Sequence, residues 1–112
     1  RILVLGTTFK ENVSDIRNSK VADLINELSS YGIKVDVTDP YANSDEVLHE
    51  YGYPLTESPQ GPYSAIFVAV SHQPFLSWTE SDFSNLLAKG GILADLKGLF
   101  RNRFSAFEYW SL

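Results

Sequence analysis

Lys10, Arg17 and Lys20 fall in one short stretch of a chain whose formal net charge is -5. Cations gathered on an acidic chain are placed to meet an anion, and phosphate or carboxylate is the natural partner. A second group, Lys97, Arg101 and Arg103, brings six of the nine Lys and Arg residues into two segments. Surface cations balancing neighbouring acids would be the plain alternative, and it fits Lys20, Arg101 and Arg103 better than Lys10 and Lys97. There is no cysteine and there are two histidines, which removes a thiolate metal site, a disulfide framework and a cysteine nucleophile together. No metal site is expected.

Other residue types invite catalysis and do not carry it. Asp15 fits a turn beside Arg17, and Asp39 before Pro40 fits a strand-ending turn. His72 is expected as a satisfied loop histidine between the two basic segments, and His49 stands on a short exposed helix. Composition leaves a Ser-His-Asp set open, but no nucleophile-elbow sequence supports one. No catalytic residue is assigned.

The elements that position the cations follow from periodicity. Ile2-Leu3-Val4-Leu5 is an apolar run ending at Gly6, and Ser19 opens a helix to Tyr31 with Val21, Leu24, Ile25 and Leu28 on one face and Gly32 behind it. Strand, basic loop and helix thus follow in order. Ile33–Val37 alternates as a half-buried strand, Asn43 and Glu46 are spaced as a capping box for a short helix closed by Gly52, and Tyr53–Leu55 is a weak strand. Ala65–Val70 is a continuous apolar run that fits a strand covered on both faces. Thr79 and Asp82 open a third helix, stapled by Trp78 and Phe83, with Leu86 and Leu87 buried before Gly90-Gly91; Ile92–Asp95 is the next strand.

The alternation predicts an α/β, Rossmann-like three-layer domain with a mainly parallel sheet in the order 3-2-1-4-5. The aromatic tail Phe104–Leu112 is expected to pack as an additional C-terminal edge strand or as a cover. Both basic segments then leave carboxyl ends of strands and share one rim. In open parallel sheets ligands bind there, helped by the N–H groups opening the next helix.

At 112 residues the chain is expected to be one domain, 1–112, large enough for a core of its own. It starts at Arg1 directly before a core strand and has no methionine, so it is expected to be part of a longer polypeptide. No apolar run approaches the roughly 20 residues that span a bilayer, and the acidic charge disfavours nucleic acid and anionic membranes. A dinucleotide fingerprint would need G-x-G-x-x-G after the first strand; Gly6-Thr7-Thr8 fails at the second glycine, and no P-loop is present. A receiver-like signalling domain is the rival α/β reading, since Lys97 follows the fifth strand. It lacks the acidic pair and the acceptor Asp that receivers need.

The run Gly6-Thr7-Thr8-Phe9-Lys10-Glu11-Asn12-Val13-Ser14-Asp15-Ile16-Arg17-Asn18-Ser19-Lys20 resembles the opening of the C-terminal UDP-binding domain of the UDP-glucose/GDP-mannose dehydrogenase family. The likeness continues through Val35–Pro40, Ala69–His72 and Asp95–Gly98. The Asn18-Ser19-Lys20-Val21 variant and the Glu108–Leu112 ending look most like members that oxidise UDP-N-acetylhexosamines such as UDP-N-acetylglucosamine and -galactosamine. The resemblance implies an NAD-dependent nucleotide-sugar 6-dehydrogenase of polysaccharide or capsule biosynthesis, cytoplasmic, with an N-terminal NAD-binding domain and a central dimerisation domain. A homodimer or higher assembly is implied. By resemblance, Phe9, Lys10 and Lys97 contact the UDP-sugar, and Arg17 reaches NAD across a domain interface. The family's nucleophilic cysteine has no counterpart here, so the isolated domain is expected to be inactive. A regulatory or interaction domain that kept the fold but binds no nucleotide is the alternative.

Overall fold

The computed structural model describes residues 1–112. In chain order it contains β1 (Ile2–Leu5), α1 (Lys20–Ser30), β2 (Val35–Thr38), α2 (Ser44–Tyr51), β3 (Tyr63–Val68), a 3-10 turn at Gln73–Ser77, α3 (Glu80–Leu86), β4 (Leu87–Asp95) and β5 (Glu108–Ser111). The five strands form one sheet in the order β2-β1-β3-β4-β5, and every pair is parallel. The Rossmann-like expectation holds. With parallel registers Leu5↔Thr38, Leu5↔Val68 and Val68↔Asp95, the loops after β2, β1, β3 and β4 leave side by side from one rim.

Alternation along β1 divides the core between the faces. Leu3 and Leu5 join Ile66, Val68, Leu93, Phe83 and Phe100 on the α3 side, while Val4 packs with Ile25 of α1, Val37 and Ala69 on the other. The aromatic tail closes the α3 face. Phe83 lies 5.2 Å from Phe100 and 5.7 Å from Phe104, ring centre to ring centre, and β5 extends the sheet at its edge.

Local signals set the helix starts. Ser19 Oγ accepts the Ala22 N–H at 3.1 Å, Asn43 caps α2 through the Glu46 N–H, and Thr79 and Asp82 form a reciprocal capping box with Trp78 stapled against Phe83 at 5.3 Å.

Two expectations need correction. Tyr53–Leu55 forms no strand; it lies next to the outer edge of β2 and is tied to it by the Thr56 N–H to Val37 carbonyl bond, because Pro54 has no N–H to offer a ladder. Gly90-Gly91 does not close α3, which ends at Leu86 and passes straight into β4. Tyr63 pairs with Leu87 but Ala65 with Ile92, so Ala88–Gly91 form a bulge in which Gly90 takes φ +80°.

Candidate functional site

The first basic loop is set by the turn at Gly6. Its N–H bonds to the Thr38 carbonyl at 2.8 Å, its φ is +94°, and a Cβ there would lie 2.5 Å from Cβ of Val70. Only glycine lets the chain leave the sheet this way. The Thr7 N–H then donates to Asp39 Oδ2 at 2.7 Å and the Thr7 hydroxyl bonds Tyr53 OH at 2.6 Å. Farther on, the Phe9 N–H donates to the Asp15 carbonyl at 2.6 Å, closing the loop on itself.

What the loop presents is an aromatic ring and two cations. Phe9 is 55% exposed despite its size, and Lys10 is exposed with no carboxylate in ion-pair range. Arg17 is held in a fork by Asp15, with Nε to Oδ1 and Nη2 to Oδ2 both at 3.0 Å. That bond holds the Asp15 carboxyl below its ordinary value and raises the Arg17 guanidinium. Phe9, Asp15, Arg17 and Asn18 line one open depression of about 260 Å³. The ring and the forked guanidinium therefore border the same space.

Lys97 sits on the turn after β4, exposed and free of any acid partner. The turn is anchored by Asp95, which is fully buried at the strand end. Its Oδ2 accepts the Phe100 N–H at 2.7 Å and the Tyr109 hydroxyl at 2.6 Å, and its carbonyl accepts the Gly98 N–H at 3.2 Å. Burial and the bond to Asp95 push the Tyr109 phenol up to about 12, so it remains a donor at any working pH. Oδ1 of Asp95 has no partner. Tyr109→Phe should lower stability by about 1 kcal/mol and increase amide exchange at Leu96–Leu99, read by urea melts and hydrogen exchange.

The remaining cations separate from these two lysines. Arg101 reaches the Ser111 hydroxyl at 3.3 Å and the Leu112 carbonyl at 2.6 Å, fastening the chain end, and Arg103 covers the rings of Phe100 and Phe104 at 5.3 and 5.5 Å. Lys20 begins α1 in solvent, and His49 is exposed on α2. Because β1 and β4 are separated only by β3, the ends carrying the Lys10 and Lys97 loops lie about 10 Å apart. The two lysines therefore stand on the same rim.

Asp39 and His72, each expected as structural, prove to be partners. Asp39 Oδ2 and His72 Nε2 are 2.9 Å apart with both side chains sealed from solvent. Nε2 is also 3.0 Å from Thr8 Oγ1, and Nδ1 accepts the Asn12 N–H at 2.9 Å. This Thr-His-Asp set is not a catalytic triad. In a triad the acid and the nucleophile use opposite ring nitrogens; here both meet Nε2, and Nδ1 is occupied by a backbone donor. Burial raises the Asp39 carboxyl, but bonds from His72 and the Thr7 and Tyr41 N–H groups outweigh it and hold it below its ordinary value.

Sequence reasoning also missed a cavity of about 690 Å³ between the end of β2, the start of α2 and the 3-10 turn, lined in part by Asp39, Asn43, Thr56, Phe75 and Trp78. No group of three or more His, Asp or Glu comes together as a metal site, and no helix is long and apolar enough to cross a membrane. The β1–α1 turn does not fit the pyrophosphate of NAD: buried Thr8 stands where the second glycine of the fingerprint would admit it.

An all-parallel sheet with cation-bearing loops on its carboxyl rim defines a Rossmann-like α/β domain whose switch point lies beside β1. The chain belongs to the UDP-glucose/GDP-mannose dehydrogenase family, a family of oxidoreductases: residues 3–102 match its UDP-binding domain. It is 41% identical over 100 residues to UDP-N-acetyl-D-glucosamine 6-dehydrogenase of Pseudomonas aeruginosa, covering 88% of this chain and 24% of that protein. Against the enzyme of the same name from Salmonella typhi the identity is 43% over 97 residues, covering 86% and 23%. The chain thus spans about a quarter of the length of these curated relatives. Among solved structures, the UDP-N-acetyl-mannosamine dehydrogenase Cap5O of Staphylococcus aureus superposes with a TM-score of 0.78 at 22% identity, over 98% of this chain and 25% of that one, a likeness of fold.

Proposed function

We propose that residues 1–112 are one UDP-sugar-binding domain of a longer, cytoplasmic, NAD-dependent nucleotide-sugar 6-dehydrogenase that converts a UDP-hexose or UDP-N-acetylhexosamine to its uronic acid for polysaccharide synthesis. The observation that carries this reading is the pair Lys10 and Lys97, two acid-free lysines on loops that leave neighbouring parts of one rim. Charge-assisted bonds from both would hold the diphosphate, with Phe9 against the nucleotide sugar. Binding energy taken there, away from the reacting carbon, serves to orient that carbon for hydride transfer.

Arg17 is assigned to the side facing NAD, which a preceding domain of the same polypeptide would hold. When bound, that cofactor accepts the hydride. This chain contributes a cation kept in a fixed direction by Asp15, 82% exposed and so open to a docking domain. With no cysteine, the chain lacks the nucleophile that the family resemblance implies, and it is expected to be inactive alone. A homodimer or larger assembly would complete the enzyme.

Titrating UDP into the chain while following backbone amides by NMR tests the assignment. Shifts confined to Thr8–Lys20 and Leu96–Gly98 are expected. No response at millimolar UDP would favour an interaction domain that binds no nucleotide.

A further inference from the structure

His72 does more than satisfy itself. It follows β3, is fully buried, and uses both ring nitrogens on the neighbouring loop rather than on its own segment. The bond from the Asn12 N–H makes Nδ1 an acceptor and leaves the ring proton on Nε2. That proton faces Asp39 Oδ2 at 2.9 Å and Thr8 Oγ1 at 3.0 Å. The Thr8 hydroxyl spends its own proton on the Lys10 carbonyl at 2.9 Å.

The ring therefore spans the base of the segment Thr8–Asn12 and is linked through Thr8 to Lys10. A reciprocal tie runs from the Gln73 N–H to Asn12 Oδ1 at 2.7 Å. Between them these bonds hold Asn12 at φ +61°, a left-handed conformation that asparagine tolerates better than most non-glycine residues. Asp39 holds the ring at the same nitrogen that meets Thr8 while taking the Thr7 N–H, so the ends of β2, β1 and β3 are joined through one imidazole. The loop is shaped before any ligand arrives.

We propose that His72, oriented by Asp39, is the positioning residue of the diphosphate site: it clamps Thr8–Asn12 so that Lys10 is presented in place, sparing the ligand the cost of ordering it. The proposal rests on the reading of Lys10 as a phosphate ligand. Preorganisation of this kind strengthens binding without adding a contact.

The test uses the chain with UDP as probe and four variants: Thr8→Val, His72→Gln, His72→Leu and Lys10→Ala. Thr8→Val keeps the Asp39–His72 pair and removes the bonds of the Thr8 hydroxyl to His72 and to the Lys10 carbonyl, so it reports even if His72→Leu fails to fold. It should weaken UDP about three- to tenfold, the equivalent of one neutral hydrogen bond. His72→Leu should weaken it further, and His72→Gln, which retains a donor and an acceptor, should recover part of the loss. In the Lys10→Ala background Thr8→Val should have a smaller additional effect, because the clamp acts chiefly through Lys10. Equal losses in both backgrounds, or unchanged UDP affinity in folded Thr8→Val and His72→Leu, would overturn the clamp. If the unaltered chain ignores UDP, the substrate reading falls instead. The clamp is then judged by amide exchange at Phe9–Asn12, which must quicken in Thr8→Val while the melting temperature holds; no change there overturns it.

Discussion

Lys10→Ala and Lys97→Ala should each weaken UDP binding about ten- to a hundredfold, and more steeply at low ionic strength. A hydrogen bond to a charged group contributes about 1.5–3 kcal/mol net, and each 1.4 kcal/mol is a factor of ten. Neither lysine has an acid to neutralise it, so each charge is available in full to a phosphate. Lys97→Arg should keep most of the affinity, since either side chain supplies a donor and a charge on that turn. The decisive comparison is with Lys34 and Lys89, which lie at the amino ends of β2 and β4, on the opposite rim. Removing either changes the net charge by the same amount. If Lys34→Ala and Lys89→Ala weakened UDP as much as Lys10→Ala, the effect would be bulk charge and the two-lysine site would be wrong. Calorimetric or NMR titration at two salt concentrations separates these outcomes, because long-range attraction is screened over about 10 Å at 0.1 M salt.

Features encoded by neighbours in sequence were legible, and those that depend on tertiary closure were not. Ser19, Asn43 and Thr79 each cap the helix expected, because a cap is a bond between residues three apart. The Trp78–Phe83 staple and the packing of the aromatic tail follow from local pattern and from the cost of leaving large rings in water. Gly90-Gly91 misled, because glycine marks a helix end and a strand bulge equally well, and only the pairing of β4 with Tyr63 and Ala65 chooses between them. Tyr53–Leu55 has the composition of a strand but Pro54 prevents a full ladder.

The site divides along the same line. That two basic segments share a rim follows from strand order alone. That Arg101 ties down the chain end and Arg103 covers Phe100 depends on where β5 docks, which no local spacing encodes. Asp39 and His72 lie 33 residues apart and meet only because β2 and β3 flank β1. Their adjacency was implicit in the strand order. Their buried contact through Thr8 was not, since it requires the turn at Gly6 to carry the loop over the strand ends.

Asp39→Ala should be the most damaging change at the rim, lowering stability by at least about 1–3 kcal/mol, the cost of leaving a buried donor without its partner. Four donors lose their acceptor: the Thr7, Tyr41 and Ala42 N–H groups and His72 Nε2–H. Asp39→Asn should cost less, because its amide oxygen can still accept from some of them. The pH dependence follows from the direction of the shift. Desolvation raises the Asp39 carboxyl, but the bonds it accepts bring it below its ordinary value of 3.8, so between the two values the unfolded chain binds the extra proton. Stability from this group is complete above the unfolded value and is lost as the pH falls through the native one. The titratable side chains facing it are His72 and Tyr53, the latter pushed up to about 12 chiefly by burial and therefore protonated throughout. Urea melts at about pH 7 and about pH 3 should show the gap between the unaltered chain and Asp39→Asn shrinking with acid. A gap that stayed constant would mean that Asp39 does not act as a buried carboxylate, and that the ring of His72 is oriented by packing against Tyr41 and Phe75, whose centres lie 4.8 and 5.7 Å away.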